Sequence, residues 1–214
     1  MKGHANLASM RTLADLVRPL NLRCRQTLRG RHPPALVLVT DAERMPDPLP
    51  VAARLPAGSL VIFRHYGHPD RAAVGKTLAD LCRRKRLSLL IAGDFALAVT
   101  LKTGLHLPEH LLRQPLSRQR LWSRQKPSSL LSVACHGRAA FRAAIEIGAD
   151  MALLSPVFPT ASHPDTRPLG NLRFRRLAEA AAVPLYALGG MNRRTVGRLA
   201  ESGAAGIAAI GGFL

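Results

Sequence analysis

Two glycine pairs near the C-terminus of this 214-residue chain are the residues best suited to bind an anion. Gly189-Gly190 and Gly211-Gly212 each directly follow a short apolar run. Glycine lets backbone N–H groups approach an oxyanion closely, and barrels of parallel strands hold phosphates in this way after their last two strands. The pairs therefore predict a phosphate site, with ordinary loop glycines that need positive φ as the alternative.

His136 is the residue best suited to move a proton. It follows the apolar run 130–135, and imidazole gains and loses a proton near neutral pH. Its neighbour Cys135 would point to the opposite side of a strand, so a Cys-His nucleophilic pair is not expected. A structural or helix-capping role for His136 stays open. His65 and His106 also lie at the ends of apolar runs, but the sequence gives less reason to assign either of them a role than it does for His136.

The elements that must position these residues alternate along the chain from Pro34 onward. Short apolar runs predict eight strands, at residues 35–41, 58–64, 87–92, 104–107, 130–135, 150–157, 183–188 and 206–210. Stretches of helical spacing lie between them, at residues 48–54, 71–86, 95–101, 138–147, 172–182 and 195–202. This order predicts an α/β fold, a single (β/α)8 TIM barrel whose active site lies at the C-terminal ends of the strands.

The two ends of the chain depart from the regular barrel. No helix is predicted after the eighth strand, and residues 1–33 form a basic N-terminal helical extension before the barrel domain, residues 34–214. Apolar residues recur at helical spacing in the extension, at Leu7, Met10, Leu13, Leu16, Val17 and Leu20. We expect it to pack beside strands 1 and 8 in place of the missing helix. A disordered basic arm is the alternative.

The chain is strongly basic, with 31 Lys and Arg against 13 Asp and Glu, a formal net charge of +18 at pH 7. This balance suits a nucleic-acid binder or a phosphate-handling enzyme, and a solvated arginine coat is a third interpretation. Only 4% of the residues are aromatic, which leaves few platforms for stacking bases. The basic run 83–86 ends a predicted helix, where cations stabilise the helix dipole. A nucleic-acid partner is therefore not expected.

The composition also bears on compartment and redox chemistry. No run approaches the roughly 18 apolar residues of a membrane helix, and the first residues lack a secretory signal. We expect a soluble, cytoplasmic protein with no membrane partner. Cys24, Cys82 and Cys135 have no C-x-x-C spacing, so we expect reduced thiols and neither a disulfide framework nor a zinc site.

Several motifs together resemble one known family. Residues 154–165 read Leu-Ser-Pro-Val-Phe-Pro-Thr-Ala-Ser-His-Pro-Asp, and Pro168-Leu169-Gly170 and the run 187–191, Ala-Leu-Gly-Gly-Met, follow. This segment resembles the thiamine-phosphate synthases and their relatives, the TenI-type thiazole tautomerases. The runs 38–41, 104–107 and 132–136 resemble the family's L-I-T-D, G-V-H-L and G-x-S-x-H. The likeness spans about residues 35–213 and is strongest from residue 130 onward.

The resemblance implies a TIM barrel that binds a thiazole phosphate. The family's T-x-T matches Thr160 and Ser162, its loop-7 glycines match Gly189 and Gly190, and its strand-8 V-S pair matches Ile210 and Gly211. Two further ligand contacts are implied, with departures from the family. His163 stands where the family has the lysine of T-x-T-K, and Arg64 is what remains of Q-x-R-x-K.

The half of the family's site that binds pyrophosphate and Mg²⁺ is poorly matched. Its N-D pair after strand 3 falls on residues 91–92 or 92–93, its G-Q-E-D on 108–111, and its G-x-S-x-H serine on Ala134. Alanine and leucine offer no hard oxygen ligand to Mg²⁺. The resemblance with these departures predicts a TenI-like thiazole tautomerase without a cofactor, with His136 as the catalytic acid/base and Arg64 neutralising an anionic group of the ligand.

Two other functions stay open. One is a thiamine-phosphate synthase that joins hydroxymethylpyrimidine pyrophosphate to thiazole phosphate and draws Mg²⁺ ligands from Asp94, Glu109 or Asp165. The other is a non-catalytic relative that binds a phosphate ligand or RNA. In each enzymatic case the partner is a small thiazole phosphate, and a homodimer is left open.

Overall fold

Eight short parallel strands form the centre of the computed structural model, which describes residues 13–113, 129–160 and 165–210. The strands are β1 (Leu36–Val39), β2 (Leu60–Phe63), β3 (Ser88–Ala92), β4 (Gly104–Leu107), β5 (Leu131–Cys135), β6 (Met151–Leu154), β7 (Leu185–Ala187) and β8 (Gly206–Ala209). Each pairs with the next in the sequence, and β1 also pairs with β8, so the sheet closes into a barrel. The predicted TIM-barrel fold is confirmed.

The strands are apolar almost throughout because both faces of the sheet are covered. Alternate residues belong to two buried clusters, as the period of two requires. Val37, Val39 and Leu60 are among those that fill the inside of the barrel, whereas Leu38 and Phe63 pack outward against the helices. The polar residues that follow the strands are thereby brought to one end of the barrel.

The helices are α1 (Leu13–Leu22), α2 (Leu49–Ala53), α3 (Arg71–Lys85), α4 (Phe95–Thr100), α5 (Arg138–Glu146), α6 (Asn171–Glu179) and α7 (Arg193–Val196). Two 3₁₀ turns, Glu109–Arg113 and Gly197–Leu199, follow β4 and α7. Helix α3 ends at Arg86, which adopts the left-handed conformation with φ 56°, and its last turn holds Arg83, Arg84 and Lys85. This basic run lies where cations stabilise the helix dipole.

Most element boundaries differ from the prediction by a few residues, and two of these differences have a clear local cause. The predicted strand 150–157 ends at Leu154 because Pro156 has no N–H to continue the ladder, although Val157 and Phe158 are as apolar as a strand. The predicted helix 195–202 begins instead at Arg193, since the Asn192 side chain accepts hydrogen bonds from two backbone N–H groups of its first turn. It ends as a 3₁₀ turn at Leu199.

The N-terminal extension contacts the barrel wall and the end opposite the cavity. Helix α1 packs on β8 and α7, and the Asn21 side-chain amide donates to the backbone oxygens of Pro33 and Ala205. After α1 the chain turns, and Leu28 joins the cluster inside the barrel. Arg29 forms an ion pair of 2.7 Å with Asp150. The division into an extension (1–33) and a barrel domain (34–214) stays a prediction, and residues 1–12 lie outside the described ranges.

A search of the described helices for one long and apolar enough to cross a membrane finds none.

Candidate active site

A cavity of about 970 Å³ opens at the C-terminal ends of the strands. Six residues proposed from the sequence line it, namely Arg64, His136, Thr160, Gly189, Gly190 and Ile210. They follow five different strands, and closure of the barrel brings them around one space. Ser162, His163 and Gly211, the remaining proposed contacts, lie outside the described residues. Their roles, and those of the six, stay predictions.

The loops after β6 and β7 approach each other closely at Gly189 and Gly190. Gly189 has φ +89° and Gly190 has φ +65°. A Cβ on Gly189 would lie 2.8 Å from the Cα of Pro156, and a Cβ on Gly190 would lie 2.5 Å from the backbone oxygen of Pro159. Both the backbone conformation and the close approach therefore require glycine.

The two glycines also leave donors for an anion. Within the described residues neither Gly189 nor Gly190 donates a backbone hydrogen bond, whereas their carbonyl groups do accept bonds. Phe158 N donates to Gly189 O at 3.2 Å, and Thr195 Oγ1 donates to Gly190 O at 2.8 Å. The carbonyls are held by the protein, and the N–H groups stay available to ligand oxygens.

His136 lies at the mouth of the cavity and is held by a carboxylate. Its Nδ1 is 2.7 Å from Glu109 Oε2, and its backbone N–H donates to the same oxygen at 2.6 Å. Cys135, on the opposite side of the strand, is buried against the helices. Burial, together with the Glu109 charge, raises the pKa of the Cys135 thiol to about 12. A protonated, enclosed thiol is not a nucleophile, in agreement with the expectation that the two residues do not act as a pair.

Arg64 reaches the cavity from the end of β2. Its Nη2 is 3.4 Å from Asp41 Oδ2, a long ion pair, and its backbone N–H donates to Thr40 Oγ1 at 2.9 Å. Its Nε is buried and finds no acceptor among the described residues. The side chain as a whole is 32% exposed and lines the cavity, so the guanidinium keeps hydrogen-bonding capacity toward an anionic group there.

The other two histidines that end strands are enclosed. His65 is bonded through Nδ1 to Thr40 Oγ1 at 2.9 Å and through Nε2 to Met45 O at 3.0 Å, which gives it a structural role. His106 lines the cavity, with Nδ1 2.6 Å from Ser132 Oγ. Burial, assisted by the positive charge of Arg64, lowers the pKa of His106 to about 3. His106 is therefore neutral at physiological pH.

This buried neutral imidazole makes the stability of the protein depend on pH. Unfolding restores an ordinary histidine pKa of about 6.5, so between pH 6.5 and 3 the unfolded chain binds a proton that the folded chain does not. As the pH is lowered through this window, the free energy of unfolding decreases, by up to about 1.4 kcal/mol per pH unit for this group. We expect urea unfolding of His106→Gln to be less sensitive to acid than that of the wild type. Parallel curves from pH 7 to 5 would contradict the assignment.

Comparisons with known proteins agree with this geometry. A family model described as thiamine monophosphate synthase matches residues 36–213, nearly the whole barrel. The chain belongs to this family. Its fold is similar to that of the thiamine phosphate pyrophosphorylase from Pyrococcus furiosus, with a TM-score of 0.69, 23% identity, and coverage of 89% of this chain and 88% of that one.

Curated relatives of the family carry synthase names. A thiamine-phosphate synthase of Chlorobium luteolum is 31% identical over 188 residues, 86% of each chain. A putative thiamine-phosphate synthase 2 of Aquifex aeolicus is 31% identical over 142 residues, 66% of this chain and 74% of that one. The thiamine-phosphate synthase of Synechococcus sp. matches at 31% identity over 77% of this chain and 46% of its own length. These names favour the synthase alternative over the predicted tautomerase.

The end of β3, where the family's resemblance implies a Mg²⁺ ligand, holds an arginine. Arg71 donates to the backbone oxygen of Ala92 at 2.7 Å and to Asp94 Oδ2 at 3.0 Å. Asp94 Oδ1 accepts from Leu97 N at 2.9 Å as the cap of α4. The ring of Tyr66 lies 5.6 Å from the Arg71 guanidinium. Each carboxylate oxygen of Asp94 thus already accepts a hydrogen bond, and a fixed positive charge lies beside it.

The carboxylates at the cavity mouth are also engaged. Asp41 accepts from Arg44 N and lies beside Arg64, and Glu109 accepts from His136. In the ranges 13–113, 129–160 and 165–210, no three His, Cys, Asp or Glu side chains are grouped so as to hold a metal ion. Mg²⁺ is usually held by one or two carboxylates together with substrate phosphates, and because Asp41, Asp94 and Glu109 are each paired with a cationic or N–H group, they fit the family's metal poorly in this arrangement.

Two features of this site escaped the sequence analysis, the Glu109–His136 contact and the Arg71–Tyr66 pair. Glu109 comes two residues after the G-L-H-L run, with Pro108 between, and this position is the sequence signal for a side chain at this end of the barrel. Nothing in the spacing identifies His136 as its partner.

Proposed function

We propose that this protein binds a thiazole phosphate through the loops after β6, β7 and β8 and that His136 transfers a proton on that ligand. One observation carries the proposal. The imidazole of His136, bonded to Glu109, shares a cavity with Gly189 and Gly190, whose N–H groups have no acceptor among the described residues. An acid/base group and an anion site on one ligand-sized cavity are what an isomerase of a phosphorylated ring needs.

The reaction requires only the movement of protons. With Nδ1 donating to Glu109, the neutral imidazole has its lone pair on Nε2. Nε2 takes a proton from a carbon of the non-aromatic ring, and the electrons of that C–H bond enter the ring. The imidazolium of His136 then gives a proton to a second carbon, which restores the neutral imidazole, and the product is an aromatic isomer of the same formula. Arg64 would hold an anionic group of the ligand throughout.

Synthase activity is the second candidate, favoured by the names of the relatives. It would require this chain to bind a pyrimidine pyrophosphate and to release pyrophosphate. The guanidinium of Arg64 lines the cavity, and that of Arg71 lies 5.6 Å from the ring of Tyr66, which also lines it. These cations are the groups that would offset the charge of the departing pyrophosphate.

Parallel assays on the full chain separate the two candidates. The tautomerase assay follows conversion of the non-aromatic thiazole phosphate by NMR, with EDTA present. The synthase assay follows pyrophosphate release from hydroxymethylpyrimidine pyrophosphate and thiazole phosphate, with Mg²⁺ present. We expect isomerisation that EDTA does not diminish and no release of pyrophosphate. Mg²⁺-dependent release without isomerisation would replace the proposal with the synthase, and ligand binding without either reaction would favour the non-catalytic relative.

A further inference from the structure

Glu109 and His136 meet because their strands are neighbours in the barrel. His106 pairs with Ser132 and Leu107 with Val133 in the β4–β5 ladder, so the residues that follow both strands emerge side by side. Glu109 begins the 3₁₀ turn after β4, and its side chain is 26% exposed. The ion-pair partners are 27 residues apart in the chain.

One carboxylate oxygen makes both contacts to His136. Glu109 Oε2 accepts from the backbone N–H at 2.6 Å and lies 2.7 Å from Nδ1 of the ring. The backbone contact anchors the carboxylate, and the ring contact then sets the direction of the imidazole. A surface ion pair with a single contact would leave the ring more rotational freedom.

A carboxylate bonded to one ring nitrogen decides which tautomer of histidine is present. It accepts a hydrogen bond, so Nδ1 must carry the proton and Nε2 the lone pair. The same negative charge also stabilises the imidazolium that forms when Nε2 takes up a proton. Both effects act through His136 and require no contact between Glu109 and the ligand.

The geometry points to Glu109 as the positioning residue of His136, which holds the Nδ1–H tautomer and orients the ring toward the ligand. The catalytic part of this inference rests on the proposed function, whereas the tautomer can be tested without it. Glu109 lies in the segment 108–111 that matches the family's G-Q-E-D motif, and the positioning of His136 gives this residue a role. In this chain the carboxylate of that segment holds an imidazole.

The first measurement is ¹⁵N NMR of the histidine side chains in the full chain, with the His136 signals identified by their absence from His136→Gln. We expect neutral His136 in the wild type to be protonated at Nδ1. In Glu109→Gln the tautomers should mix, and in Glu109→Ala the Nε2–H form should dominate, as in a free imidazole. An unchanged tautomer in both variants would overturn the inference. Glu146→Gln, an exposed glutamate on α5, is the matched control.

The second measurement is kinetic. Glu109→Gln keeps an acceptor oxygen but removes the charge, so we expect kcat for isomerisation to fall about 10- to 100-fold. KM should change little, because the proposed contacts to the phosphate lie at Gly189 and Gly190, on other strands. A rise in KM with kcat unchanged would overturn the positioning role.

Added Mg²⁺ provides a test of the competing use of Glu109. We expect MgCl₂ to leave the His136 signals of the wild type in place, since the carboxylate is held by His136. A Mg²⁺-dependent shift of those signals that Glu109→Gln abolishes would place the metal on Glu109 and overturn the inference. If the variants change the tautomer but the wild type shows no isomerisation, the proposed function fails and the Glu109–His136 pairing stands.

Discussion

Replacement of His136 by alanine is expected to lower the rate of thiazole phosphate isomerisation by about 100- to 10,000-fold, the usual contribution of a general acid/base. The side chain is 46% exposed, so its removal leaves no buried cavity and should cost little stability. The proposed anion site lies on other strands, at Gly189 and Gly190, and ligand affinity should therefore be nearly unchanged. The measurement is kcat by NMR, with Kd for thiazole phosphate by calorimetry.

The control for this variant is His32→Ala. His32 is exposed and precedes β1, at the end of the barrel opposite the cavity. Its replacement should leave kcat, Kd and stability as they are. Undiminished isomerisation by His136→Ala would exclude His136 as the acid/base and leave the neutral His106 as the next imidazole of the cavity to test.

Replacement of Gly190 by alanine is expected to abolish phosphate binding and to destabilise the fold. The new methyl group would lie 2.5 Å from Pro159 O and 2.8 Å from Phe158 Cβ, inside van der Waals contact. Relief requires the loops after β6 and β7 to separate, which displaces the backbone N–H groups of Gly189 and Gly190 proposed to bind the phosphate. Positive φ adds strain of about 1–3 kcal/mol for a residue with a Cβ.

A matched variant, Gly58→Ala, separates backbone strain from the close approach. Gly58 also has positive φ, +84°, but a Cβ there would meet nothing within 4 Å. Urea unfolding should show a loss at both positions that is clearly larger for Gly190→Ala. Calorimetry with thiazole phosphate at a temperature where both variants are folded should show binding by Gly58→Ala alone. Equal affinity in the two variants would rule out the loop after β7 as the phosphate site.

Most of the barrel could be predicted from the sequence because its strands are buried on both faces. Such strands are continuous apolar runs, and the intervening helices have a different period. The predicted end of the strand 150–157 was wrong because the apolar run continues beyond the last residue of the hydrogen-bonded ladder. Val157 and Phe158 are buried like strand residues, yet they follow Pro156, belong to the loop after β6 and pack against the β7 loop.

The residues of the candidate site, like the strands, could be predicted only where a local sequence pattern identifies them. His136, Gly189 and Gly190 could be proposed because they follow apolar runs, and a closed parallel barrel gathers the ends of its strands. Arg64, at the end of the predicted strand 58–64, was implied by the family resemblance. The partners of these residues could not be proposed. Which side chains meet depends on register and on loop geometry, and these are not encoded in local spacing.

The sequence by itself therefore determined the strand order, the family likeness and the end of the barrel that carries the site, since all three follow from local patterns of residue type. Only the tertiary structure decided what the charged groups there do. Glu109 holds His136 across 27 residues of sequence, and Arg71 engages Asp94 across 23. These contacts form because the barrel brings neighbouring strands into register. Each charged side chain thereby gains a partner that the adjacent sequence does not reveal.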